Sequence, residues 1–397
     1  MRISTSLIFN NALRSIQTQQ AQLVRTQNQL ASGTKILSPA DDPAGSKRLL
    51  DLRQSLELND QFKTNADAAM TRLTLEESSL DAVTNVLQRV RELAIQANSV
   101  TLSDSDRQAL GAEVSQRLQE LLGLANTKDG NNEYLFGGFS TGTRPFTQVG
   151  NNFVYNGDDG QRFLSLGPSF DVAVGDSGTA VFRDIGNGNG TFRTTSNVAN
   201  TGAAIIDVGQ VSNPGAFVAD TYTITFTTAS TFQVTDSAAA VVTTGNYTSP
   251  QSIVFNGHEV SISGTPAAND SFQVAPAARQ DMFTTLNNLA TTMASTTTGG
   301  AEQAHIHTEL GRSLAEIDHA LENVLTVRAG VGARLNATEN ERFVAEDFSL
   351  QLQSSISAIE DVDVAEAVTR LSQQSTTLQA AQRSFALVQN LSLFNFL

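Results

Sequence analysis

The chain has no cysteine and no tryptophan, and only 4 histidines and 8 prolines among its 397 residues. The missing thiols exclude disulfides, thiol catalysis and thiolate metal sites together. They do not fix the compartment, because a chain exported unfolded through a narrow channel also does well without groups that cross-link. No apolar stretch is long enough to cross a bilayer. The first fifteen residues contain Arg2 and Arg14 but no apolar h-region and no evident cleavage site. Neither a cleaved secretory leader nor a membrane span is therefore expected, while export that leaves the N-terminus uncut stays open. Positive charge is also scarce: 25 Lys and Arg face 40 Asp and Glu, for a net charge of −15. Phosphate recognition needs clustered cations, so nucleic acid is not an expected partner, and an anionic membrane is an equally poor one.

Hydrophobic residues make up 40% of the chain and Phe is plentiful at 21, enough for a folded core. At roughly 100–200 residues per domain the length leaves room for two to four domains. The two ends stand out. Phe9, Leu13, Ile16, Gln20, Leu23, Gln27 and Leu30 alternate spacings of four and three, and Val364, Val368, Leu371, Ser375, Leu378, Gln382, Phe385 and Gln389 repeat the rhythm. This is a heptad seam with polar residues at some core positions, which fixes register at a cost in stability. A lone helix of this kind leaves its stripe in water, so the ends are expected to pair with each other and with neighbouring copies. The expected function is assembly, with no catalysis and no cofactor.

Between the ends the chain changes character twice. Helix is predicted from Ser4 to about Asn126, interrupted by Gly33 as a C-cap and by the Ser38-Pro39 loop. Asp42 before Pro43 matches an N-cap followed by proline at the first helical position, and Asp41 precedes it. Leu49, Leu52 and Leu56, then Leu73, Leu80, Val83, Leu87 and Val90, mark the next helix, and Ser103 with Asp106 resembles a capping box. From Gly137 to about Pro276 short alternating runs replace the helical pattern, at 153–155, 222–226, 232–235, 252–255 and 260–263. Asn256-Gly257 and the stretch Asn156-Gly157-Asp158-Asp159-Gly160 read as turns. Helix returns at Met282, continues as one long helix from Glu302 to about Glu360, and resumes after Asp361-Val362-Asp363 as far as Phe394. The expected fold is thus mainly α with a β-rich insertion. Long terminal helices pair in a coiled-coil or helical-bundle rod, with the inserted β domain at its far end. The expected domains are 1–40 with 361–397 (terminal assembly), 41–136 with 280–360 (helical rod) and 137–279 (inserted β-rich domain).

Three runs carry a family resemblance. LASGTKILSPADDPAG over residues 30–45 resembles the N-terminal signature of bacterial flagellins and their relatives, and IEDVDVAEAVTRL over 359–371 is similar to the C-terminal one. VRAGVGARLN over 327–336 resembles the glycine-alanine stretch of that family's returning helix. The likeness covers residues 1 to about 136 and 280 to 397. The opening Met1-Arg2-Ile3-Ser4-Thr5, the run NEYLFGGF over 132–139 and the ending Leu393-Phe394-Asn395-Phe396-Leu397 favour the branch at the hook–filament junction over filament flagellin, which is the alternative. The resemblance implies export through the flagellar type III apparatus, with a chaperone holding the C-terminal helix beforehand. It also implies self-assembly into a ring that touches a neighbouring hook-associated protein and filament flagellin outside the cell. Terminal helices would form the inner layer and the β-rich domain the outermost one.

Other chemistry is weaker. His305 and His307 are two apart on a helix and point to different faces, and His305 with Glu309 gives only two ligands, so no metal site is expected. Gly186-Asn187-Gly188-Asn189-Gly190 lacks the strand and helix that would make it a phosphate cradle, and a loop is favoured. Asp41-Asp42 and Asp158-Asp159 fit a cap and a turn, and no Ser-His-Asp arrangement can be assembled.

Overall fold

A computed structural model describes residues 5–99 and 101–390. The opening 1–4 and the ending 391–397, including the last residues of the expected terminal helix, lie outside the described residues. Among the described residues there are six α-helices: α1 (Thr5–Ser32), α2 (Pro43–Ala97), α3 (Asp104–Ala125), α4 (Met282–Ala294), α5 (Gly300–Glu360) and α6 (Val364–Asn390). Proline explains the unbroken length of the 61-residue α5: the last proline of the chain is Pro276, so nothing downstream removes a donor from the helical ladder. Contacts divide the chain into one compact unit of residues 1–65 with 341–397 and another of residues 66–340. The sequence-based division into three cuts the chain at other points.

In the larger unit the helical core is built from the leucines and valines that mark the helical period. Leu73, Leu80, Val83, Leu87 and Val90 of α2 are all fully buried. They meet Val114, Leu118 and Leu121 of α3, Phe283, Leu286, Leu289 and Met293 of α4, and Leu310, Ile317, Val324 and Val331 of α5. Ser103 caps α3 by accepting from the Asp106 N–H, and Asp281 caps α4 by accepting from the Thr284 N–H. The approach of α3 to α4 is close at Gly111, where a Cβ would lie 2.9 Å from the Met293 Cβ.

Fifteen strands lie between α3 and α4 in the chain. The first four are β1 (Phe146–Val149), β2 (Asn152–Tyr155), β3 (Phe163–Gly167) and β4 (Phe170–Ala173), followed by the short β5 (Ile185–Gly186). Next come β6 (Phe192–Ser196), β7 (Ala203–Ile206), β8 (Gln210–Val211), β9 (Tyr222–Thr228) and β10 (Thr231–Thr235). The last are β11 (Val241–Asn246), β12 (Gln251–Phe255), β13 (His258–Thr265), β14 (Ser271–Pro276) and β15 (Arg279–Gln280). A five-stranded sheet runs β11-β10-β9-β14-β6, and a second runs β12-β13-β7 with β8 also on β13. Alternation sets the register: Phe226 faces Phe232, and Ile224 sits between Val234 and Phe272. The apolar residues of both sheets share one buried cluster, which holds Tyr222, Ile224 and Phe226 together with Ile253, Val260 and Ile262. Asn256 and Gly257 both have positive φ in the two-residue turn from β12 to β13. His258, at the start of β13, stacks on Phe255 with a 6° interplanar angle. Burial depresses the basicity of its ring. The β3–β4 hairpin packs Leu166 and Val172 on Ala66 and Ala69 of α2.

Candidate assembly surface

The terminal helices α1 and α6 pair within the chain. Phe9 and Phe385, both at seam positions, bring their rings to 5.0 Å. The rest of the seam is covered unevenly. Ile16, Leu23, Leu30, Leu371, Leu378 and Phe385 are half-buried, whereas Phe9, Leu13, Val364 and Val368 are exposed, Val364 to 58%. Among the described side chains, the buried positions on these two helices are Thr26, Gln29 and Ala367, none of which belongs to the heptad pattern. Polarity hid two of them from the sequence reading. Thr26 returns its hydroxyl to the Gln22 carbonyl, and Gln29 donates to the Lys35 carbonyl at 2.6 Å, so each buries its side chain with its polar atom satisfied.

The two signature runs meet. The Val362 N–H donates to the Gly33 carbonyl at 3.0 Å, and the Lys35 N–H donates to the Glu360 carbonyl at 2.6 Å. Thr34 and Asp361 form an isolated antiparallel bridge between these bonds. Gly33 has φ +73°, the left-handed value that closes α1 without a Cβ penalty and turns the chain into the clasp. Arg53 on α2 adds an ion pair to Glu360 at 2.6 Å.

Each residue of the Asp41-Asp42-Pro43 run has a local task. The Asp41 carboxylate accepts from the Leu37 and Ser38 N–H groups and pairs with Arg25 at 2.9 Å. Asp42 accepts from the Gly45 N–H at 2.9 Å, in the place of an N-cap, and Pro43 is the first residue of α2. Gly45 is required by this cap, since a Cβ there would lie 2.2 Å from an Asp42 carboxylate oxygen. Asp363 caps α6 through the Glu366 N–H at 3.0 Å. The sequence signal was legible, Asp before an apolar run with Glu three residues on.

Elsewhere in this unit the apolar side chains are mostly in water. Of its apolar residues, Ala345, Leu352 and Ala367 are the buried ones among those described, while Leu50, Leu58, Phe343, Val344, Phe348 and Leu350 are exposed. A polar knot sits where a core would be. Asn59 donates to the Ala345 carbonyl at 2.6 Å and to the Ser349 hydroxyl at 2.7 Å, which in turn donates to Asp60. Burying one large apolar side chain is worth about 1.5–3 kcal/mol, so this surface carries a large unused drive to associate.

The candidate chemical groups are placed apart. His305 lies 2.6 Å from the Ser196 hydroxyl and His307 lies 2.7 Å from the Asn98 amide oxygen. Among the described residues no three His, Cys, Asp or Glu side chains are grouped to hold a metal, and no helix is long and apolar enough to cross a membrane. The 186–190 loop donates the Gly188 N–H to Glu316 and packs against α5. Asp158 accepts from Phe139 N–H, Gly160 N–H and the Ser140 hydroxyl, which hold its carboxyl below the usual range, as expected of a turn residue.

Comparison with known proteins agrees with this geometry. Residues 3–141 match the bacterial flagellin N-terminal helical region and residues 314–397 the bacterial flagellin C-terminal helical region. Residues 195–276 match the D2-like domain of flagellar hook-associated protein 1. The chain is 27% identical to flagellar hook-associated protein 3 of Escherichia coli, covering 99% of each. It is similar to the crystal structure of the flagellar junction protein FlgL from Legionella pneumophila, with 35% identity and a TM-score of 0.72, covering 79% of this chain and 100% of that one. A flagellin of Clostridium tyrobutyricum is 24% identical over 97% of this chain and 98% of its own.

Proposed function

Because the chain belongs to the bacterial flagellin family, in its hook-associated protein 3 branch, we propose that it is a structural subunit of the flagellum that joins hook to filament. Filament attachment and swimming then depend on it. The observation that carries this reading is the correspondence with hook-associated protein 3 over 99% of both chains, together with the likeness to the junction protein structure over 79% of this chain. The exposed apolar surface of the clasped terminal unit supports it, because such a surface calls for neighbours. The seam residues Phe9, Leu13, Ile16, Leu23, Leu30, Val364, Val368, Leu371, Leu378 and Phe385 are the contacts we assign to ring assembly.

In this reading residues 1–40 and 361–397 form the innermost layer, 41–136 with 280–360 the next, and 137–279 the outermost. The ring faces another hook-associated protein on one side and filament flagellin on the other, outside the cell. Export leaves the N-terminus uncut, with a chaperone on the C-terminal helix until delivery. No reaction is assigned to the chain.

The full-length likeness to a flagellin favours one alternative, a filament subunit that polymerises without limit. A polymerisation assay separates the two. Purified protein offered filament seeds or precipitants should stop at short rings or caps, and long filaments of this chain alone would establish the alternative.

A further inference from the structure

The two larger sheets of the larger unit, built from β6 to β14 and called the β-rich domain below, leave and rejoin the helices through two short segments, β5 and β15, which pair with each other. The Asn187 N–H donates to the Ala278 carbonyl, and the Ala278 N–H returns a bond to the Asn187 side chain at 2.9 Å. Both segments then reach one carboxylate. Glu316 of α5 accepts from the Gly188 N–H at 3.2 Å on one oxygen and from the Gln280 amide at 3.1 Å on the other. Its side chain is 3% exposed, and Arg312 lies 3.4 Å away as its counter-ion. Gly188 cannot yield, because its φ is +61° and a Cβ would lie 2.3 Å from the Phe192 carbonyl oxygen.

A second attachment lies along the same helix. His305 contacts the Ser196 hydroxyl on β6, the edge strand of the five-stranded sheet. It is eleven residues before Glu316, or about 16 Å along α5. Between and beyond them Glu309, Arg312, His319 and Asn323 continue the spacing of four and three. A Cβ on Gly190 would lie 3.3 Å from the His319 ring, and Asn323 donates to the Ala180 and Val181 carbonyls. A charged stripe that reads as a solvated face is therefore a seat.

We propose that this stripe is a two-point mount for the β-rich domain, with Glu316 holding the pivot at both crossing segments and His305 fixing the angle about it. One attachment alone leaves a hinge at residues 185–191 and 277–280, and two leave a single orientation. The inference concerns the chain by itself and stands apart from its place in the flagellum.

The missing cysteines make the test direct. Spin labels at Val241→Cys on β11 and Leu325→Cys on α5, both exposed positions, report the orientation in the full chain by pulsed electron resonance. The parent should give one narrow distance distribution. Glu316→Ala should broaden it at least twofold, Gln280→Ala should broaden it less, and Glu316→Ala with His305→Ala should broaden it most. Amide exchange in β9 and β14 should stay slow in all of them. An unchanged width in the double variant would overturn the proposal. Fast exchange of β9 and β14 in step with the broadening would also overturn it, by making Glu316 a stabiliser of the sheets and not a mount.

Discussion

Glu76 of α2 is 1% exposed and accepts the Asp176 N–H at 2.9 Å on one oxygen, while its other oxygen is buried without a hydrogen-bond partner. Burial first, and the Asp176 charge second, push its carboxyl up to about 7, against the pull of Arg334 and Arg72. Between its ordinary value near 4.5 and about 7, the folded chain holds a proton that the unfolded chain has lost. Stability from this group is thus complete below pH 4.5 and disappears as pH rises through 7. Glu76→Gln should therefore be more stable than the parent at pH 8, by at most about 3 kcal/mol, and the two should converge at pH 4.5. Urea midpoints at both pH values check this, and equal midpoints at pH 8 would contradict it. Asp42→Ala removes the acceptor at the start of α2 and should cost about 0.5–2 kcal/mol, with the loss seen as a lower melting temperature of the full chain. Carboxylates such as these were visible in the sequence only where a neighbour marks the role. Asp42 has Pro43 beside it, whereas nothing near Glu76 in the chain announces Asp176 or Arg334.

At the scale of elements, glycines separate two kinds of helix. Gly111 lets α3 approach α4, so Gly111→Ala should force the pair apart and cost about 1–3 kcal/mol. Gly330 of α5 has open space where a Cβ would stand, so Gly330→Ala should stabilise the isolated chain by about 0.5–1 kcal/mol. Thermal melts of both variants give the signs, and the same sign for both would refute the distinction. The half-covered seam of α1 and α6 makes a further claim. Fixing each residue costs about 1–2 kcal/mol of backbone entropy, and a seam this exposed offsets little of it. Amides in residues 1–40 and 361–397 of the monomer should exchange fast compared with those of α3. Equal protection would mean the pair is stable without neighbours. Strands β9, β12 and β13 were legible because Tyr222, Ile224 and Phe226 alternate with threonine and because Asn256-Gly257 demands a tight turn, whereas β3, β4, β6, β7, β11 and β14 were not singled out. The two-residue β5, β8 and β15 were not, since no period exists in so short a run. The α5 stripe of His305, Glu309, Arg312 and Glu316 was not legible for the opposite reason: its spacing is regular, but charge at that spacing usually faces water.

For the whole molecule, the proposed function has one apolar stripe on α6 serve two partners in turn, a chaperone and then neighbouring subunits. Phe385→Ala should weaken both, because truncating a Phe that a partner has fully covered costs about 3–5 kcal/mol. Calorimetric titration with the chaperone should show lower affinity, and cells should shed filament subunits into the medium. Unchanged affinity with normal swimming would remove Phe385 from both roles.

The clasp between the two signature runs also sets a timetable. Arg53 and Glu360, which brace it, are 307 positions apart. Closing a coil of that length costs about 5 kcal/mol in loop entropy, while a few backbone hydrogen bonds return about 1 kcal/mol each. The terminal unit therefore closes last, after the intervening chain has folded and shortened the loop. If the subunit is exported as proposed above, it completes its joining surface only once residues as late as Glu360 are out, so the sticky part of the molecule is withheld until the moment of delivery.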